Sequence, residues 1–189
     1  MAIARQRRMT LEEFLGLPEE EPALEFWFGE VAQKVSPKGP HSALQVGFAL
    51  RIESFTAPRR LARAFTEARI TLAGISSVPD LVVYRWERIP RDARGQVADD
   101  FTTPPDVAVE VLSPGQSRPK VIDRCRWYVQ HGVPLAVFAD PYQRVVRLFR
   151  PGADSGDLRG SAVVDIGDVI PGFALTVDEF FAPLAADYP

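Results

Sequence analysis

The stretch Pro104 to Tyr128, PPDVAVEVLSPGQSRPKVIDRCRWY, sets carboxylates inside an apolar run and follows them with a basic segment. Val107, Val109 and Val111 recur with period two, so the run reads as a strand. The same period puts Asp106, Ala108, Glu110 and Leu112 on its other face. A carboxylate drawn out of water is costly unless a cation or hydrogen-bond donors receive it. Glu110 therefore needs a partner, either a metal ion or an arginine such as Arg124 or Arg126. An earlier run, Val78-Pro79-Asp80-Leu81-Val82-Val83-Tyr84, has the same form. If the two runs pair in one sheet, Asp80 and Glu110 meet at one point with Asp106 nearby. Acids converging at a strand edge suit a hard divalent cation, Mg²⁺ first and Mn²⁺ second. Arg118 to Tyr128 reads as a helix that carries Lys120 and Arg124 four residues apart, on one face. Carboxylates around a divalent cation, with a lysine alongside, suit hydrolysis of a phosphodiester. The metal polarises the phosphoryl oxygen and activates water, and the side-chain cation offsets developing charge.

Each of these residues also has a plainer reading. Asp80 and Asp106 follow proline at strand starts, where aspartate serves turns. Lys120 alone reads as a solvated helix lysine. His41 stands at a helix start, where it can be a core residue or a substrate contact. His131 precedes a helix-ending glycine and suits the helix dipole there. Arg59, Arg60 and Arg63 form a basic loop that either contacts phosphate or is a solvated face. The chain has no G-x-S-x-G, Walker loop, HExxH or dinucleotide fingerprint, which removes the commonest hydrolase and nucleotide-binding classes.

Several elements must position these groups. Thr10-Leu11-Glu12-Glu13 is a capping box opening a short helix that Pro18 ends. Leu24 to Val35 reads as a hairpin turning near Gly29, with Glu25 a second acid in an apolar setting. His41 to Phe55 has helical periodicity, Ala64 to Leu72 reads as one strand, and Arg85 to Thr103 as a long surface excursion. Leu135 to Ala139 is a short buried strand, Arg144 to Arg150 a more exposed one, and Val163 to Ile166 a last weak one. Thr176 to Glu179 is a second capping box. This order specifies a mixed sheet with flanking helices, α/β or α+β, within one domain spanning residues 1–189.

Net charge of −3 and a pI near 5.5 argue against a protein that coats nucleic acid without discrimination. The single cysteine, Cys125, excludes an internal disulfide and fits a reducing cytoplasm. The N-terminus, MAIARQRRMT, lacks the apolar segment of a leader or anchor, so the reading is a cytoplasmic protein with no membrane span. Only three lysines occur, Lys34, Lys38 and Lys120, and Lys120 is the one that follows the acidic strands.

Taken together, MTLEEFLGLPEEEP, LEFWFGEV, the helix-start His41, VPDLVVY, PPDVAVEVLSP, Tyr128 with Gly132-Val133, Asp140-Pro141 and IPGFALTVDEFF resemble the Uma family of restriction endonuclease-like proteins, within the PD-(D/E)XK nuclease superfamily. The resemblance implies a restriction-endonuclease-like fold, with Asp80 and Glu110 as metal-binding acids and Glu25 as a further site acid. It also shows departures. The superfamily's lysine two residues after the second acid falls on Leu112, the family's helix lysine falls on Arg124, and Lys120 stands one turn earlier. Arginine supplies charge but does not readily give up a proton.

The resulting expectation is a Mg²⁺-dependent endonuclease acting on DNA. Asp80 and Glu110 hold the metal and Lys120 is catalytic. Glu25, His41, Asp106 and Arg124 support the site, Arg59, Arg60 and Arg63 offer phosphate contacts, and a homodimer is allowed by analogy with nuclease folds. The alternatives are a weak or inactive nucleic-acid-binding module on the same fold and a hydrolase of small phosphorylated molecules.

Overall fold

The computed structural model describes residues 9–188; the basic segment 1–8 lies outside them. Thr10 and Glu13 exchange reciprocal bonds, the Glu13 N–H donating to Thr10 Oγ1 and the Thr10 N–H to Glu13 Oε2, which starts α1 (Leu11–Leu15). β1 (Leu24–Trp27) and β2 (Glu30–Gln33) then form a hairpin. Its two-residue turn is Phe28-Gly29, with φ of +52° and +87°, the left-handed pair that matches the twist of adjoining strands. α2 (Gly39–Thr56) follows, with Pro40 in its first turn where a missing N–H costs nothing.

Residues 62–77 do not hold the single strand expected over 64–72. They make β3 (Ala62–Thr66), β4 (Ile70–Leu72) and β5 (Ile75–Ser77), because Glu67 at φ +53° turns the chain out of β3. Ala73-Gly74, also with φ positive at both residues, then makes a second tight hairpin that no Asn-Gly or Asp-Gly signal announces. β6 (Leu81–Arg85), β7 (Val107–Val111), α3 (Arg118–Gln130), β8 (Leu135–Asp140), β9 (Val145–Arg150), β10 (Ala153–Asp154) and α4 (Val177–Phe180) complete the order. Val163 to Ile166 contributes an isolated bridge to Thr176 rather than a strand. The excursion after β6 is pinned by buried Ile89 and Phe101, the latter bridging to Ile70.

The strands fall into two sheets. A six-stranded sheet has the order β10-β9-β8-β7-β6-β3 and is antiparallel except for the β7–β8 pair that α3 connects. A four-stranded antiparallel sheet has the order β2-β1-β5-β4. The fold is thus mixed, with helices on both faces of the larger sheet, in the expected class. Val107, Val109 and Val111 pack with Leu44, Phe48 and Ile52 of α2 and with Phe173, Phe180 and Phe181. The opposite face carries Val82, Tyr84, Ala108 and Leu112 against Val121, Ile122, Cys125 and Tyr128 of α3, where Ile70, Leu72 and Ile75 join from the smaller sheet. Period two therefore turns Glu110 toward α3. Among the described residues no helix is long and apolar enough to cross a membrane.

Gly47, inside α2, faces Pro183, and a Cβ built there would lie 2.3 Å from the Pro183 ring. Helix propensity alone would favour alanine by about 1 kcal/mol. The clash with a rigid ring reverses the sign, so Gly47→Ala is expected to lower stability by roughly 1–3 kcal/mol. Thermal or urea unfolding of the two proteins checks this.

Candidate active site

The register of β6 on β7 pairs Leu81 with Val109, which sets Asp80 opposite Glu110 at one end of the larger sheet. Asp80 is locked there by its backbone N–H donating to Val109 O and by Val111 N–H donating to its Oδ2 at 2.6 Å. Its other oxygen, Oδ1, lies 2.7 Å from Lys34 Nζ and 3.2 Å from His41 Nε2. Asp80 Oδ1 thus has two cationic or potentially cationic neighbours, and it and His41 Nε2 are both fully buried. Lys34 Nζ also donates to Glu67 Oε2 at 2.6 Å, while Gln45 donates to Glu67 Oε1 and to the Asp80 carbonyl, each at 2.7 Å. His41 Nδ1 shares a 2.9 Å hydrogen bond with Ser113 Oγ.

Glu110 has a different environment. Tyr128 Oη donates to its Oε1 at 2.7 Å, and Arg124 NH1 lies 3.7 Å from Oε2. Arg124 also donates to Glu25 Oε2, and Glu25 Oε1 accepts the Val78 N–H at 2.9 Å. Arg124 thus ties β1 of the smaller sheet to β7 of the larger one. Its guanidinium lies 4.8 Å from the centre of the Trp27 ring, a cation–π contact.

These environments separate the titrations of the two acids. Burial would raise the Asp80 carboxyl, but His41 and then Lys34 outweigh burial and hold it below the usual carboxylate range. At Glu110 burial wins over the attraction of Arg124, the Asp80 charge adds to it, and the carboxyl is pushed up to about 7. Burial would lower the Lys34 ammonium, but Asp80, Glu110 and Glu67 together keep it protonated far into the alkaline range. Arg124 is likewise held charged, by Glu110, Tyr128 and Glu25 against burial.

The acids and cations named from sequence divide into those the fold gathers and those it does not. Asp80, Glu110, Glu25, His41 and Arg124 are brought together. Asp106 is not. It opens β7 at the far end, about 13 Å of strand away from Glu110, where it accepts from Arg85 N–H and Arg88. Lys120 is exposed near the start of α3, beside Trp27 and Phe28, and makes no ion pair with the acids of this cluster. Arg59, Arg60 and Arg63 stand at the Asp106 end of the sheet. Arg59 covers Phe55, Arg60 covers Trp86, and Arg63 pairs with Glu53.

Two residues of the cluster carried no signal in the linear reading, Lys34 and Glu67. Lys34 becomes visible once the Phe28-Gly29 turn fixes the register. That register places Glu25 opposite Ala32, so Lys34, two residues beyond Ala32, shares the face of Glu25. Glu67 depends on the left-handed turn after β3, for which its sequence offers no cue.

The donor set can be tested for a divalent cation. One ligand atom each from His41, Glu67 and Asp80 lies within 4.8 Å of the others, and His41 Nε2 and Asp80 Oδ1 are buried 3.2 Å apart. Carboxylate oxygens suit Mg²⁺ and Mn²⁺ alike, and the imidazole tilts the set toward the softer Mn²⁺. The residues present therefore fit a divalent cation, with the Lys34 ammonium bridging the same two carboxylates.

The Uma2 model of putative restriction endonucleases matches residues 11–178. The chain belongs to the Uma2 family. A crystal structure of a putative nuclease of DUF820 from Anabaena variabilis ATCC 29413 is 38% identical, covering 94% of this chain and 99% of that one at a TM-score of 0.89. A DrdV–DNA complex matches 73% of this chain and 13% of that one, at 16% identity and a TM-score of 0.34, too slight to bear on the fold. No curated protein matches this Uma2 chain.

Glu110 gives a pH prediction. Its carboxyl holds a proton up to about pH 7 when folded, against an ordinary value of 4.5. Between these values the folded state binds more protons, so stability falls as pH rises, by about 1.4 kcal/mol per unit and roughly 3 kcal/mol at most. Glu110→Gln keeps an acceptor for Tyr128 and removes the titration. The variant is expected to gain stability relative to wild type from pH 5 to 7.5, read from unfolding curves across that window. Parallel curves would mean that Glu110 ionises normally.

Proposed function

We propose that this chain is a divalent-metal-dependent nuclease hydrolysing DNA phosphodiester bonds. The observation that carries the reading is the buried grouping of Asp80 with Glu110 across paired strands, with the Lys34 ammonium 2.7 Å from Asp80. Asp80 with His41 and Glu67 beside it, and Glu110 across the strand pair, would hold the cation. The ion supplies polarisation of the phosphoryl oxygen and a more acidic bound water. Lys34 supplies fixed positive charge for the developing negative charge on phosphate. Tyr128 donates to Glu110 Oε1 and so fixes the orientation of that carboxyl. Arg124 keeps Glu25 and Glu110 together without itself titrating.

A second reading, a DNA-binding module without turnover on the same fold, is favoured by Leu112 where the superfamily carries its lysine and by Arg124 spanning Glu25 and Glu110.

Calorimetric titration with Mn²⁺ and Mg²⁺, beside cleavage of plasmid and single-stranded DNA, tests both. Asp80→Ala is expected to lose metal binding and cleavage together. Lys34→Ala removes a cation competing for Asp80, so metal affinity should hold or rise while cleavage falls by about 10²–10³-fold. Lys120→Ala should leave the rate at saturating DNA within about threefold. A Lys120 variant that abolishes turnover, with Lys34→Ala fully active, would return the catalytic role to Lys120. Metal binding by wild type with no cleavage would select the module.

A further inference from the structure

Two open surfaces flank the buried acids, and they differ in charge. On the Asp80 side, a cleft of about 670 Å³ is lined by Glu19 to Glu21, Glu67, Asp99 and Asp100 against Lys34 and Arg69. A polyanion approaching from there meets an excess of like charge. On the Arg124 side, a groove of about 640 Å³ is walled by Trp27, Phe28 and Trp127 and rimmed by Lys120, Arg124 and Arg126 with a single acid, Asp123. Arg124 belongs to both this groove and the catalytic cluster, since it lies against Trp27 and pairs with Glu110.

The groove has one well-exposed aromatic ring at its mouth. Phe28 is 65% exposed at the tip of the β1–β2 hairpin. It occupies a left-handed turn position that suits asparagine or glycine far better, so both its exposure and its backbone are costly there. Beneath it Trp27 meets Trp127 edge to face, with ring centres 5.2 Å apart, and His131 stacks on Trp127 at 4.1 Å. Lys120 has no carboxylate partner among the described residues, and Arg126 shares itself between Asp123 and Asp154. An aromatic platform beside cationic side chains is the recognised means of holding single-stranded nucleic acid, because every base offers a π-face once unstacked.

We propose that an unstacked base of a single-stranded DNA segment seats on Phe28 beside Trp27 and Trp127, with neighbouring phosphates on Lys120 and Arg126. The inference rests on the nuclease reading and deepens it. The substrate carries a single strand, alone or as an overhang, rather than being a blunt duplex whose bases are already stacked.

Fluorescence anisotropy in Ca²⁺ with a single strand, a blunt duplex and a duplex bearing an overhang tests it. Phe28→Asn suits the turn, so its melting temperature should hold or rise. Its binding to the single strand and the overhang should weaken about tenfold, with the blunt duplex changed less than about twofold. Lys120→Ala should weaken binding to all three and lower the salt slope by about one. Equal losses on all three DNAs with Phe28→Asn, or no loss, overturn the seat. So does a dimer of the wild type that Phe28→Asn converts to monomer, which would assign the patch to a second copy of the chain. Wild-type cleavage without this discrimination overturns the seat and leaves the nuclease reading standing. Discrimination without cleavage in any divalent metal does the reverse.

Discussion

Three carboxylates, Glu25, Asp80 and Glu110, are buried within one cluster, and two permanent cations, Lys34 and Arg124, answer them. Removing one partner from such a set leaves an uncompensated buried charge, at about 3–5 kcal/mol. The rest of the structure is arranged around avoiding that. Asp80 is fixed by two backbone N–H groups' worth of constraint, one donating to its side chain and one from its own residue. Glu25 accepts a backbone N–H, and Glu110 accepts a tyrosine hydroxyl. The imbalance of one negative charge settles on Glu110, which is buried and has its cation most distant.

The larger sheet and the meeting of Asp80 with Glu110 were legible because both rest on local rules. Proline before aspartate before a β-branched run defines a strand start twice, and period two assigns Glu110 a face. The two capping boxes and the glycine after His131 fixed helix ends for the same reason. The smaller sheet was less legible. Its two hairpins turn at Phe28-Gly29 and Ala73-Gly74, where tertiary packing overrides the usual turn residues. Reading 64–72 as one strand missed the left-handed Glu67 that divides it, and with it the route by which Glu67 reaches Lys34.

Lysine placement illustrates the limit best. Lys120 was attractive because it follows Glu110 in the chain and shares a helical face with Arg124. Helical spacing gives the face but not the depth, and Lys120 sits a turn nearer the exposed end of α3 while Arg124 reaches the acids. Lys34 arrives instead from a different sheet. Proximity in sequence could not reveal this, since a residue 46 positions before Asp80 is brought there by sheet packing alone.

Arg124 joins the two sheets through one guanidinium, holding Glu25 on one side and Glu110 on the other. The free energy of docking the β1–β2 hairpin is therefore linked to the ionisation of the acids, and linkage is reciprocal. A ligand that draws Arg124 toward the groove loosens the hairpin's hold on β7. Equally, a change at the hairpin tip is felt as a change in affinity at Glu110. Amide exchange in β1 and β2 would then report on the state of a site that those strands only border, making the hairpin a thermodynamic gauge of the chemistry beneath it.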